Sequence, residues 1–223
     1  MASYYDEHLA ADHLKRCYDL APPRVRRYLA AEIRHVVSRI RRTDAVLELG
    51  CGYGRVLREL SPHCATVTGI DTSASSIALA RDTLRDLANC RVIEMNAAAL
   101  EFSDHAFDVT CCIQNGVSAF KVDPPLLLAE CMRVTRPGGR VLLSSYAERF
   151  WPDRLAWFEL QADAGLLGPI DREATGDGVI VCKDGFRATT FSPDQFRALV
   201  AAAGLAAHVE EVDESSVFCE VQC

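Results

Sequence analysis

Apolar positions along the chain change period several times, and those changes mark out its elements. In Asp6–Leu20 and Arg24–Ile40 they recur at helical spacing, giving two predicted helices. Pro22-Pro23 separates them, because proline lacks an N–H donor yet its fixed φ suits a first helical turn. Short apolar runs then alternate with helical stretches. Strands are predicted near 45–49, 65–70, 91–95, 107–113 and 139–145, with helices near 54–60, 74–87 and 123–134, and this alternation implies a parallel sheet wound on both faces. Residues 147–176 form an aromatic, mixed segment without a clear period. Val179–Cys182 and Arg187–Phe191 flank Lys183-Asp184-Gly185-Phe186 as a hairpin. Ser192-Pro193-Asp194 caps a helix through Ala203 that ends at Gly204, and Ala206–Glu211 and Val217–Val221 are the last two strands.

The first strand runs directly into a glycine-dense turn, Val46-Leu47-Glu48-Leu49-Gly50-Cys51-Gly52-Tyr53-Gly54, ahead of the helix that starts at Arg55. Glycines allow close backbone approach, and a helix N-terminus offers free N–H groups to an anion. Asp71 closes the second strand, where an acid can accept from ribose hydroxyls. Two features depart from the dinucleotide pattern. Arg55 stands where its third glycine would be, and Glu48, two residues before Gly50, repels a pyrophosphate but attracts an ammonium.

With Glu48, Gly50, Gly52 and Gly54 in the pattern E/D-x-G-x-G-x-G, the chain resembles the class I S-adenosylmethionine (SAM)-dependent methyltransferases. Three further segments carry the resemblance in the family's order: Val92 to Ala97, Phe107-Asp108-Val109, and Glu130 to Leu143 with its Arg136-Pro137-Gly138-Gly139 turn. Together the matches span about Thr43 to Ser145. The resemblance implies a Rossmann-like α/β fold, a doubly wound and mostly parallel seven-stranded sheet in the order 3-2-1-4-5-7-6 with the last strand antiparallel. It also implies a single domain in which 1–42 form an N-terminal helical lid, 43–223 the cofactor-binding core, and 146–191 a substrate-side insertion.

SAM is the implied cofactor and S-adenosylhomocysteine its product. By the resemblance, Glu48, Gly50, Cys51, Gly52 and Gly54 hold the methionine end, Asp71 and Thr72 the ribose, and Asn96-Ala97 the adenine, with Asn in place of the family's usual Asp. Ile113, Gln114 and Asn115 follow strand four, where cofactor and reacting methyl meet in the family. Gln114 and Asn115 read equally as plain turn formers. Methyl transfer asks mainly for alignment and exclusion of water, so acceptor residues leave weak signals. Tyr4, Tyr5, His8 and Tyr146 are the acceptor-side candidates. The first three read more simply as an exposed helix start, and Tyr146, with the aromatic run Phe150, Trp151 and Trp157, as packing.

Composition narrows the function classes. A net charge of −7 and a pI of about 5.4 speak against nucleic acid as a partner. The one basic cluster, Arg24 to Arg42, reads as the solvated face of an amphipathic helix. Ten scattered cysteines lack paired metal spacing, so no metal is expected and a reducing, cytoplasmic setting is. No signal peptide or membrane span is read. Asp123-Pro124-Pro125 reads as a helix N-cap with Pro at the first turn rather than the acceptor motif of amino-group methyltransferases. The expected activity is methyl transfer to an O, N or S atom of a small organic acceptor. The alternatives are a non-catalytic SAM-binding regulatory or partner protein, a metalloid methyltransferase using Cys182, Cys219 and Cys223, and an NAD-linked oxidoreductase. The acceptor, the methylated atom, the need for a general base and the oligomeric state are not legible in the chain.

Overall fold

The computed structural model describes residues 11–223. The helices are α1 (Asp12–Asp19), α2 (Pro23–Val37), α3 (Arg55–Leu60), α4 (Ala74–Thr83), α5 (Gly116–Ala119), α6 (Pro124–Val134), α7 (Trp151–Asp163) and α8 (Pro193–Ala202). The strands are β1 (Ala45–Leu49), β2 (Thr66–Asp71), β3 (Cys90–Glu94), β4 (Phe107–Cys112), β5 (Thr135–Tyr146), β6 (Ile180–Val181), β7 (Arg187–Ala188), β8 (Ala207–Val212) and β9 (Ser216–Gln222). Seven strands form one sheet in the order β3-β2-β1-β4-β5-β9-β8, and β6 pairs with β7 as a separate hairpin. Strands β1 to β5 pair in parallel, and β9 runs antiparallel between β5 and β8. This is the predicted doubly wound order.

Period-two alternation builds a core on each face of the sheet. On one face, Leu47, Leu49, Val141, Leu143, Val217 and Cys219 pack with α6 and α8. On the other, Val46, Val109, Leu142 and Phe218 pack with α2, α3 and α4. Gly69 in β2 shows how tight this layer is, since a Cβ there would lie 2.5 Å from Leu57 and 2.6 Å from Cys51. A third cluster lies beyond the carboxyl ends of the parallel strands and unites α1, α2, α7 and the hairpin through Cys17, Tyr28, Phe150, Trp157, Phe158 and Phe186.

Two sequence readings are corrected. The aperiodic segment 147–176 contains α7, whose aromatics Trp157 and Phe158 bury into the third cluster rather than into the sheet core, so no single apolar stripe announces it. The basic cluster on and just after α2 is not simply solvated: Arg24 and Arg27 of α2 both pair with Asp213, and Arg39 beyond its end pairs with Glu210 and Glu220, tying this part of the chain to β8, β9 and the turn between them. Asp123 stands at the N-cap of α6 with Pro124 opening its first turn, as read, and its side chain makes no cap bond. By contrast, Ser192 and Gln195 form a complete capping box on α8, with Ser192 Oγ accepting from Gln195 N and Gln195 Oε1 from Ser192 N. Ser192→Ala is expected to cost about 1 kcal/mol of stability, read as a lower midpoint in urea unfolding.

Candidate functional site

A cavity of about 520 Å³ opens where the carboxyl ends of β1 to β5 meet the third apolar cluster. Its position follows from topology, since open α/β sheets bind ligands beyond the strand ends at the point where strand order reverses, here between β1 and β4. From β1 it is lined by Glu48 and Gly50, from β2 by Asp71 and Thr72, and from β3 by Asn96 and Ala97. Ile113 and Gln114 after β4, and Tyr146 at the end of β5, complete the strand side. Parallel pairing sets Glu48 beside Gly69 and Asp71 beside Glu94, so the strand ends finish at one level.

The glycine turn shapes one wall. Gly50 has φ 74°, and a Cβ on it would meet the Phe120 ring at 2.5 Å, so its backbone lies bare beneath that ring. Asp71 organises the same turn, with Oδ2 accepting from Gly52 N at 2.9 Å and Oδ1 from Ser73 N at 2.9 Å. Gly52 thereby serves the site through its amide. Cys51, Gly52, Gly54 and Asn115 lie outside the lining. Asn115 has its carboxamide bound on both sides, Nδ2 donating to Thr189 O at 2.9 Å and Oδ1 accepting from Ser145 Oγ at 2.6 Å. It ties the end of β4 to the segment after the hairpin.

Glu48 brings a strongly perturbed carboxyl to the cavity wall. It is 3% exposed, and its Oε2 has no hydrogen-bond partner among the described residues. Burial pushes its pKa up to about 8, against the pull of Arg55 and with added repulsion from Asp71. Arg55 stacks on Tyr18, its guanidinium 4.6 Å from the ring centre. The Tyr18 hydroxyl donates to Gln114 Oε1 at 3.0 Å, and Gln114 Nε2 is buried without a partner among the described residues.

The roof comes from elements with no motif. Leu14, Cys17 and Tyr18 of α1, Phe158 and Gln161 of α7, and Phe186 after the hairpin turn all line the cavity, as does Trp157, which donates to Cys17 O at 2.9 Å. Lys121, Asp123 and Leu126 line it from the α5 to α6 side. Sequence reasoning singled out none of these as an acceptor-side residue except Trp157, although α1 falls within the segment 1–42 read as a lid, and α7 and Phe186 within the segment 146–191 read as a substrate-side insertion. Tyr146 packs on Tyr28 and Phe150 with the Arg154 guanidinium 4.3 Å from its ring centre. Tyr4, Tyr5 and His8 lie outside the described residues, as do all of residues 1–10 of the segment 1–42 read as a lid. Among the described residues no group of three or more His, Cys, Asp or Glu side chains is arranged to hold a metal ion, and no helix is long and apolar enough to cross a membrane. Cys182 and Cys219 are buried in different clusters.

Residues 46–139 match the family model for a methyltransferase domain. The chain is 33% identical over 102 residues to the ubiquinone biosynthesis O-methyltransferase of Pseudomonas fluorescens (strain Pf0-1), covering 45% of this chain and 43% of that one. It is 30% identical over 167 residues to the malonyl-[acyl-carrier protein] O-methyltransferase of Erwinia pyrifoliae, covering 73% of this chain and 62% of that one. It thus spans less than half the length of the ubiquinone-biosynthesis relatives it matches. A SAM-dependent methyltransferase from Aquifex aeolicus shares the fold at a TM-score of 0.64 and 16% identity, covering 95% of this chain and 98% of that one. With the glycine turn, the seven-strand order and the family-model match in agreement, residues 46–139 are identified as a methyltransferase domain of the class I SAM-dependent kind.

Proposed function

We propose that the protein transfers a methyl group from SAM to an O, N or S atom of a small organic acceptor, releasing S-adenosylhomocysteine. The observation that carries this reading is the continuity of one cavity from Glu48, Asp71 and Asn96 at the strand ends to Tyr18, Tyr146, Trp157 and Phe158 at the roof. A cofactor held on the first set exposes its reactive end to the second.

The residues fit SAM. The unpartnered, buried Glu48 Oε2 suits an ammonium, which restores to the carboxylate the partner it lacks. Asp71 lies at the ribose position while holding Gly52 and Ser73, and the turn after β3 offers Asn96 and Ala97 to adenine. When bound, the sulfonium supplies an activated methyl group, so the protein's part is to align the acceptor and exclude water. Tyr18, Tyr146, Trp157 and Phe158 make the roof side largely aromatic, suited to a planar or apolar acceptor body, with Gln114 and Gln161 as its neutral polar groups. Two relatives are O-methyltransferases by name, which favours oxygen as the methylated atom.

Calorimetric titration with S-adenosylhomocysteine is expected to show one site per chain. Incubation with methyl-labelled SAM and a panel of phenols, carboxylic acids, amines and thiols is expected to label at least one class. Absence of S-adenosylhomocysteine binding by folded protein would reject the reading, while binding without transfer to any class would favour a SAM-binding regulatory protein.

A further inference from the structure

The cofactor and roof residues leave the buried Glu32 without a role. Glu32 on α2 is wholly buried, 82 positions before the turn it contacts. Gln114 N donates to Glu32 Oε2 at 3.0 Å and also lies 2.9 Å from Ser144 Oγ, while the Ser144 hydroxyl donates to Glu32 Oε1 at 2.8 Å. This arrangement sits under a costly piece of backbone. Gln114 and Asn115 are successive residues in the left-handed region, with φ 56° and 68°, a conformation that non-glycine residues hold only when their surroundings over-determine it. Asn115 is held by Ser145 and Thr189, and Gln114 by Glu32 and Ser144.

We propose that Glu32 is a positioning residue of the methyl-transfer site, acting through Gln114. By anchoring the Gln114 amide it fixes the turn after β4, so that the carboxamide accepts from Tyr18 and presents its unpartnered Nε2 to the bound cofactor. One buried acid thus couples α2 to the cofactor wall and to α1 in the roof. The assignment of a bound cofactor rests on the proposed function, whereas the hold of Glu32 on Gln114 and Tyr18 does not.

The test combines a ligand readout with one that needs no ligand. In a Trp151→Phe background, Trp157 is the sole tryptophan, and it packs on Tyr18 with ring centres 5.9 Å apart. Glu32→Leu and Gln114→Ala are each expected to weaken S-adenosylhomocysteine binding about fivefold, and the double variant also about fivefold rather than about twenty-fivefold, because both remove one linked contact. Glu32→Gln keeps an acceptor for the Gln114 amide and should bind within about twofold of the parent. Trp157 emission should shift to the red in Glu32→Leu and in Gln114→Ala alike. Losses that multiply in the double variant, or a Glu32→Leu protein with a lower melting temperature but unchanged affinity and emission, would overturn the proposal. Should Glu32→Leu fail to fold, Ser144→Ala carries the same expectation with a smaller loss. If the parent protein binds no S-adenosylhomocysteine, the methyl-transfer reading fails, and the Trp157 shift alone decides whether Glu32 positions Gln114.

Discussion

S-adenosylhomocysteine is expected to bind an Asp71→Ala protein at least about tenfold more weakly than the wild type, because each charge-assisted hydrogen bond to a ribose hydroxyl is worth roughly 1.5–3 kcal/mol. The loss has a second source in the structure. Asp71 Oδ2 also holds the Gly52 amide, so its removal loosens the glycine turn that forms the neighbouring wall. Asp71→Asn separates the two effects. Asn retains one carbonyl oxygen for either Gly52 or Ser73 but loses the charge, so its affinity should fall between those of Ala and wild type, with a smaller drop in melting temperature than Ala gives. Calorimetry and thermal unfolding read both quantities. Wild-type affinity in a folded Asp71→Ala protein would reduce Asp71 to a brace for the turn.

Binding is also expected to release a proton at neutral pH, with Glu48 as its source. Burial raises its pKa to about 8 in the free protein, so the carboxyl is largely protonated at pH 7. An ammonium placed against Oε2 favours the ionised form and draws that pKa down. Release of a proton on binding means that affinity for S-adenosylhomocysteine rises as pH goes from about 6.5 to 8 and levels off above. Titrations at pH 7 in buffers of different ionisation enthalpy should count close to one proton for wild type and none for Glu48→Gln, whose affinity should be lower and flat with pH. Equal proton counts in the two proteins would remove Glu48 from the ammonium site. The same raised values set the sign for stability. Glu32 at about 7 and Glu48 at about 8 both hold protons more tightly folded than unfolded. Their contribution is therefore fully present below about pH 4.5 and lost as pH climbs through 7 and 8. The ligand-free melting temperature should fall across that window, and less steeply in Glu48→Gln.

What the sequence by itself determined is what short segments of chain decide. The apolar runs at 45–49 and 66–71, separated by one helix, set two parallel strands side by side, and a strand that stops at a glycine turn or an acid delivers Glu48, Gly50 and Asp71 to one edge without reference to the rest of the molecule. The helix cap at Ser192 and the hairpin about Gly185 were legible for the same reason, since each is closed by bonds between residues a few positions apart. The strand order itself was supplied by family resemblance, because alternation alone leaves it open.

Only the tertiary structure decided the roof, the fate of the basic helix face and the place of Glu32. Tyr18 meets Gln114 across 96 positions, Trp157 meets Cys17 across 140, and Arg24 meets Asp213 across 189. No local period encodes such partners. An arginine stripe reads the same whether water or a distant carboxylate faces it, and α7 hides its helical pattern because its aromatics serve a cluster outside the main sheet core. Glu32 is the clearest case. Within its helix it is one acid among apolar neighbours, and only the folded chain closes the strand-four turn over it and gives the carboxylate the Gln114 amide and Ser144 hydroxyl that make burial tolerable.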